Sequence, residues 1–248
     1  MPIYTYRGYQ TVNNFWDRYY LEYQEIYDRF SLSSISAVDD LQKTLGFSGK
    51  RVLDIGGGTG ISAFRIAQYA KSVVSIEPFE AMRNYAIARQ KKLGVKNVEF
   101  INGIGEDLSQ FRDNEFDCAV SVHSLPILWE DMERRKKDCV STVEGCLRVV
   151  KTGGYVAFVT GAHGWKWDHL VGGMDSFPDK NIKGLTEALL EPLGFTFRDI
   201  RVINDYGTME EALATYGFIY GEKAIDYVLE NKVSKVSWIL RIFHKLIV

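Results

Sequence analysis

Short apolar runs alternate with helical segments, a glycine loop follows one run, and an acidic residue ends the next. Together these predict an α/β fold: a doubly wound, mostly parallel sheet with helices on both faces. Right-handed crossovers put every loop that follows a strand on one edge of such a sheet, and ligands bind at that edge.

The elements follow in order. Residues 13–30 place Trp16, Tyr19, Tyr20, Tyr23, Ile26, Tyr27 and Phe30 at helical spacing, which predicts one amphipathic helix with an aromatic face. That face either packs on the core or lids a ligand, since aromatic side chains give large contact area with few rotamers to freeze. Arg51–Ile55 is the first apolar run and ends in glycines; Ile61–Ala70 reads as a helix. Val73–Glu77 is the second run, followed by a helix over Ala81–Leu93 that stops at Gly94. Val98–Ile101 and Asp117–Val122 are further strands, Met132–Val150 a long helix, and Tyr155–Thr160 a fifth strand. Leu185–Leu190 reads as a helix ended by Pro192 and Gly194, and Phe195–Ile203 as a strand. Met209–Glu230 reads as helical, with Gly217 and Gly221 as candidate breaks. The tail alternates: Val236, Trp238, Leu240, Ile242, Leu246 and Val248 share one side, which is a strand period rather than a membrane-surface helix.

The composition is that of an ordinary globular chain, 46% hydrophobic and 25% charged over 248 residues. This excludes a disordered, collagen-like or disulfide-stapled protein. A formal charge of -2 gives no global field to gather nucleic acid or an anionic membrane. The run Arg134–Lys137 stands among acidic residues and reads as a solvated helix face. Three cysteines, Cys118, Cys139 and Cys146, form no C-x-x-C pair and read as buried thiols. No signal-peptide pattern and no long apolar span occurs, so a reduced, cytoplasmic protein is expected.

The stretch Val52–Gly60, VLDIGGGTG, is the most informative. Gly56, Gly58 and Gly60 allow close backbone approach and positive φ between strand and helix. Asp54 ends the strand before them, and Glu77 ends the next strand 17 residues past Gly60. A carboxylate there accepts hydrogen bonds from a ribose diol and repels a 2′-phosphate. D-x-G-G-G-T-G after a strand resembles motif I of class I S-adenosylmethionine (SAM)-dependent methyltransferases. Four further stretches are similar to the family's stations in order: SIEPFEAM (75–82), VEFINGIGEDL (98–108), FDCAVSVHSL (116–125) and LRVVKTGGYVAF (147–158). LLEPLGF (189–195) agrees more weakly. Two departures stand out: Ile104 occupies a common Asp position, leaving the adenine side to Gly105, Glu106 or Asp107, and Thr152 replaces a common Pro.

The resemblance implies a Rossmann-like fold with seven strands, the last antiparallel, under an N-terminal helical lid. It implies one domain over 1–248: a cap at 1–50, a SAM-binding core at 51–160, and substrate-side insertions with the final strands at 161–248. Asp54, Gly56, Gly58 and Gly60 would surround the amino-acid end of SAM, and Glu77 would hold the ribose. Pro78 and Met82 would flank the adenine, with Gly105, Glu106 and Ser121 also at the cofactor. Product would be S-adenosylhomocysteine (SAH). Candidate bases or acceptor-positioning groups are His123, after the fourth strand, and His163 and His169, after the fifth. Tyr19, Tyr20, Tyr27, Trp165 and Trp167 are candidates for the acceptor pocket. Three metal-ligand types share the loop with Asp168, but their spacing fits a metal poorly and none is expected.

A small-molecule acceptor is the leading reading, with no nucleic acid or membrane partner. The chain lacks a basic arm and the N-P-P-[YFW] motif; SVHS stands at that place. Methylation of RNA or protein, a non-catalytic SAM-binding scaffold, and an NAD-linked oxidoreductase remain alternatives. The sequence names neither the acceptor atom nor the oligomeric state.

Overall fold

A computed structural model of the chain describes residues 3–125, 132–162 and 185–248; the side chains of 132–135 and 185 are outside the description. It opens with a hairpin that the periodicity does not signal. Strands β1 (Ile3–Tyr6) and β2 (Tyr9–Val12) pair antiparallel. The turn residues Arg7 and Gly8 both have positive φ, 48° and 88°, as a two-residue turn of primed type requires.

Residues 13–30 form two helices, not the single one expected: α1 (Phe15–Glu22) and α2 (Gln24–Phe30). The chain leaves helical geometry at Tyr23, with φ −125° and ψ 34°. Neither Gly nor Pro causes the break. Instead the aromatic residues serve two surfaces. Phe15 and Tyr23 pack against Phe218, while Tyr27 stacks on Tyr19 beside the glycine loop. Tertiary packing overrides the periodic signal here, as it does for most short helices. Helix α3 (Ser33–Leu45) follows, burying Ala37, Val38, Leu41 and Leu45 on the sheet before stopping at Gly46.

The main sheet contains β3 (Arg51–Ile55), β4 (Ser72–Ile76), β5 (Val98–Ile101), β6 (Phe116–Val122), β7 (Val150–Gly161), β8 (Thr196–Asp205) and β9 (Lys235–Leu246). Their spatial order is β5-β4-β3-β6-β7-β9-β8. Pairing is parallel from β5 through β7, and β9 runs antiparallel between β7 and β8. The seven strands, the antiparallel last strand and the helices on both faces are as expected. The direction of chain progress reverses between β3 and β6, which places the ligand crevice at the ends of those two strands.

Helices α4 (Ile61–Ala67), α5 (Glu80–Leu93), α6 (Met132–Val149) and α7 (Leu185–Leu190) connect the strands. Val52, Cys118, Val120 and Val159 meet α3 and α4 on one face; Leu53, Ile55, Ala119 and Phe158 meet α6 on the other. The three cysteines are buried and free, as expected. Lys136 and Lys137 are exposed on α6. No helix among the described residues is long and apolar enough to cross a membrane.

Residues 209–231 are helical with one real break. α8 (Met209–Ala212) leads into a π-helical turn at Leu213–Gly217, then α9 (Phe218–Tyr220) and α10 (Glu222–Asn231). Gly217 is not a break: it stays helical, and an added Cβ would lie 2.8 Å from Ile225 Cγ1. Gly221 is one, with φ 78° and ψ −157°. On β9, Val236, Trp238, Leu240 and Ile242 are buried as the alternation predicts, but Leu246 is 43% exposed and Val248, past the strand, is 96% exposed.

Gly221 occupies a backbone region that is essentially closed to other residues, at a cost of ~1–3 kcal/mol. An added Cβ would meet nothing closer than 3.8 Å, so the penalty is backbone strain alone. Gly221→Ala should lower the unfolding free energy by that amount in urea titration; an unchanged midpoint would show that the turn relaxes.

Candidate functional site

The site is built from the ends of parallel strands. β3 ends in Asp54 and Ile55, and the chain turns sharply through Gly56–Gly60 into α4. The amides of Gly56 and Gly57 both donate to the Ile76 carbonyl at 2.9 Å, so the loop is tied to β4. A Cβ at Gly56 would fall 2.2 Å from Ser124 Cβ, and one at Gly57 1.9 Å from Ser75 Oγ. These glycines are required by close approach. At Gly58, φ is 51° and an added Cβ would meet only Tyr27, at 3.7 Å, so its backbone faces a gap that the tyrosine bounds.

Glu77 leaves β4 and inserts its carboxylate under this loop. Oε2 accepts from the Gly58 amide at 2.9 Å and Oε1 from the Phe79 amide at 3.0 Å. Burial raises its pKa, and the two amide hydrogen bonds pull it back down. A carboxylate has about four lone-pair sites, so it can accept further donors from a ligand. Arg83 donates to the carbonyls of Glu77 and Pro78, both at 2.7 Å, and fixes the turn.

Asp54 is 1% exposed and accepts from Ser75 Oγ at 2.8 Å. Burial pushes its carboxyl up to about 7; the Ser75 bond opposes this, and the charge of Glu77 adds to it. Across the switch point, Ser121 on β6 pairs with Ile55, and its buried hydroxyl has no partner among the described residues. A Cβ on Gly105 would lie 3.0 Å from Ile55 Cγ2 and from Thr142 Cγ2, so Gly105 also closes on the end of β3. Glu106 follows it, half-buried.

His123 comes directly after β6 in left-handed geometry, φ 60°, with its amide donating to the Val159 carbonyl at 2.9 Å. Its neighbour Ser124 donates to the Gly56 carbonyl at 2.9 Å. The imidazole is exposed to solvent on one side, and desolvation by the protein around it pulls its pKa down to about 4. It is therefore neutral at pH 7. Left-handed geometry at a non-glycine residue is a strained feature that clusters at functional sites.

The cap closes over this floor. Tyr19 and Tyr27 stack at 4.6 Å, and the charge of Glu77 raises both phenol pKa values beyond the larger effect of burial. Tyr20 instead stacks at 4.0 Å on Phe79, which is 43% exposed, so it stands at the outer rim. Pro78 is exposed and Met82 is buried on α5. The structure thus gathers Asp54, Gly56, Gly58, Glu77, Gly105, Ser121, His123, Tyr19 and Tyr27 on one edge. His163, Trp165, Trp167, Asp168 and His169 lie outside the described residues.

Five residues of the site escape sequence reasoning: Asp28, Thr59, Ser75, Arg89 and Ser124. Asp28 accepts from Thr59 Oγ1 at 2.8 Å and pairs with Arg89. Ser124 alone had a signal, since it follows a strand end beside a candidate base. A ligand of the SAM type fits what is present: a gap over Gly58, a carboxylate with acceptor capacity to spare, and an unpartnered hydroxyl on Ser121.

The pKa of Asp54 has a consequence for stability. The folded protein holds a proton that the unfolded chain releases near pH 4, so this residue costs stability as pH rises from about 4 to about 7. Asp54→Asn should therefore stabilise the ligand-free protein at pH 8, by on the order of a few kcal/mol, with little gain at pH 4. An equal effect at both pH values would show that Asp54 ionises normally.

Residues 53–158 match the model of a methyltransferase domain. A probable S-adenosylmethionine-dependent methyltransferase of Saccharomyces cerevisiae is 35% identical over 102 residues, 40% of this chain and 34% of that protein. A ubiquinone biosynthesis O-methyltransferase of Pseudomonas fluorescens is 31% identical over 148 residues, 60% of this chain and 58% of that one. The chain thus spans about a third to somewhat over half the length of these relatives. Among solved structures, a SAM-dependent methyltransferase from Aquifex aeolicus superposes with a TM-score of 0.58 at 19% identity, over 90% of this chain and 96% of that one, and shares the fold. The matched segment, somewhat under half of the chain, begins one residue before Asp54 and ends in β7, spanning the strands that carry the glycine loop, Glu77 and His123, and this segment is a methyltransferase domain similar to those of class I SAM-dependent methyltransferases.

Proposed function

We propose that the protein transfers the methyl group of SAM to a small-molecule acceptor. The observation that carries the reading is the Glu77 carboxylate, held by the Gly58 and Phe79 amides beneath Tyr27 with acceptor capacity to spare. A ribose diol satisfies that capacity. The near-neutral charge and the ubiquinone-pathway relatives support a small acceptor.

When bound, SAM supplies an electrophilic methyl group on a sulfonium, and its departure leaves neutral SAH. The protein's part is to bind, orient and exclude water. Asp54 provides an anion for a cationic ligand, which would draw it to the ionised form. Tyr19 and Tyr27 shield the loop from water. For an acceptor that carries a proton, His123 is the base this reading assigns, its imidazole neutral at pH 7.

The test incubates the full chain with methyl-labelled SAM and three acceptor sets: phenols, amines and carboxylic acids; total RNA; and proteins. Label in a small molecule with matching SAH release is expected. Label only in RNA or protein, or SAH binding with no turnover on any set, would overturn the proposal.

Two variants refine it. Losing a charge-assisted hydrogen bond costs ~1.5–3 kcal/mol, so Glu77→Ala should weaken SAH binding roughly 10- to 150-fold by calorimetry; unchanged affinity would remove Glu77 from the ribose. His123→Ala should lower kcat by about 10²–10⁴-fold with SAH affinity kept. At saturating SAM, and for an acceptor that does not titrate in that range, wild-type kcat should stay flat from pH 8 to about 5 and fall toward 4. A limb at pH 6–7 would assign the base elsewhere.

A further inference from the structure

The N-terminal cap is seated on the glycine loop in an unusual way. Helix α2 packs Phe30 among Trp16, Tyr216, Tyr220 and Trp238 on the side away from the glycine loop. Its contact with the loop is polar: Asp28 takes the Thr59 hydroxyl at 2.8 Å on one side and the Arg89 guanidinium on the other. Thr59 belongs to the glycine loop and is fully buried; Arg89 lies on α5, with its guanidinium 5.6 Å from the centre of the Phe64 ring. The Asp28 side chain itself is only 17% exposed, so the pair is shielded from solvent screening. Tyr27, the preceding residue, is the one described side chain within 4 Å of a Cβ built on Gly58, and it carries Tyr19 stacked upon it.

We infer that the cap is a wall of the cofactor pocket and that Asp28 is the positioning residue that holds the Tyr19–Tyr27 stack over the glycine loop. The inference rests on the SAM reading above and extends it to residues outside the matched segment. A single acidic residue ties lid, loop and α5, so the lid's position and the loop's conformation are set together.

The test is a double-mutant cycle read by SAH calorimetry. Asp28→Ala and Thr59→Val should each raise the Kd, the former about tenfold or more, and the double variant should be no worse than Asp28→Ala. Asp28→Asn keeps an acceptor for Thr59 and should recover part of the loss, which separates positioning from general stability and gives a reading if the alanine variant fails to fold. Hydrogen exchange of ligand-free Asp28→Ala should show α2 amides deprotected with the sheet amides unchanged. Wild-type affinity in Asp28→Ala, or losses that simply add in the double variant, would overturn the inference. Failure of the wild type to bind SAH would instead overturn the SAM reading, which the ratio between variants does not test.

Discussion

The arrangement depends on one buried carboxylate. Glu77 stands at the end of β4 and takes amide hydrogens from two turns at once, Gly58 on the glycine loop and Phe79 at the start of α5. The loop is held in positive-φ conformations at Gly56, Gly58 and Gly60 that glycine permits but does not enforce. The carboxylate supplies the enforcement, and the Ile76 carbonyl repeats it by accepting from Gly56 and Gly57. Because β3 and β4 are parallel and in register from Arg51↔Ser72 to Ile55↔Ile76, both turns emerge at the same level of the sheet. A rigid, two-faced core thereby presents a soft polar edge.

That edge concentrates groups which a folding chain would otherwise avoid. Asp54 is buried with a hydroxyl partner in Ser75, Ser121 is buried with no partner among the described residues, and His123 is held in left-handed geometry. Each is unfavourable in the ligand-free protein, and each is explained if a cationic, polar ligand completes the site. Such local cost at a functional edge is the usual exchange of stability for function. The cap answers the same need from the other side, bringing tyrosines and one latch to an edge that the core alone leaves open.

The core of this arrangement was legible because its signals are local. Asp54, the three glycines and Glu77 sit at fixed offsets within a strand–loop–helix–strand unit, and the strand alternation of β9 is a two-residue pattern. What was not legible depends on distant partners. Asp28 meets Thr59 across 31 residues and Arg89 across 61, with no periodicity to mark either. The break at Tyr23 arises from aromatic packing against Phe218, far along the chain. The hairpin turn places Arg7 where Asn or Gly usually supplies positive φ, so its turn chemistry is silent. Gly217 reads as a breaker and is instead a contact surface for Ile225, a distinction that only packing makes.

The central claim is that the ends of β3 and β4, covered by the cap, form the cofactor pocket. Hydrogen exchange of the full wild-type chain with and without SAH addresses it most directly. The account predicts added protection in three segments at once: residues 56–60, residues 77–79 and the cap helices at 15–30. Protection confined to other segments, such as β8 and β9, or binding that leaves the cap amides unchanged, would contradict it.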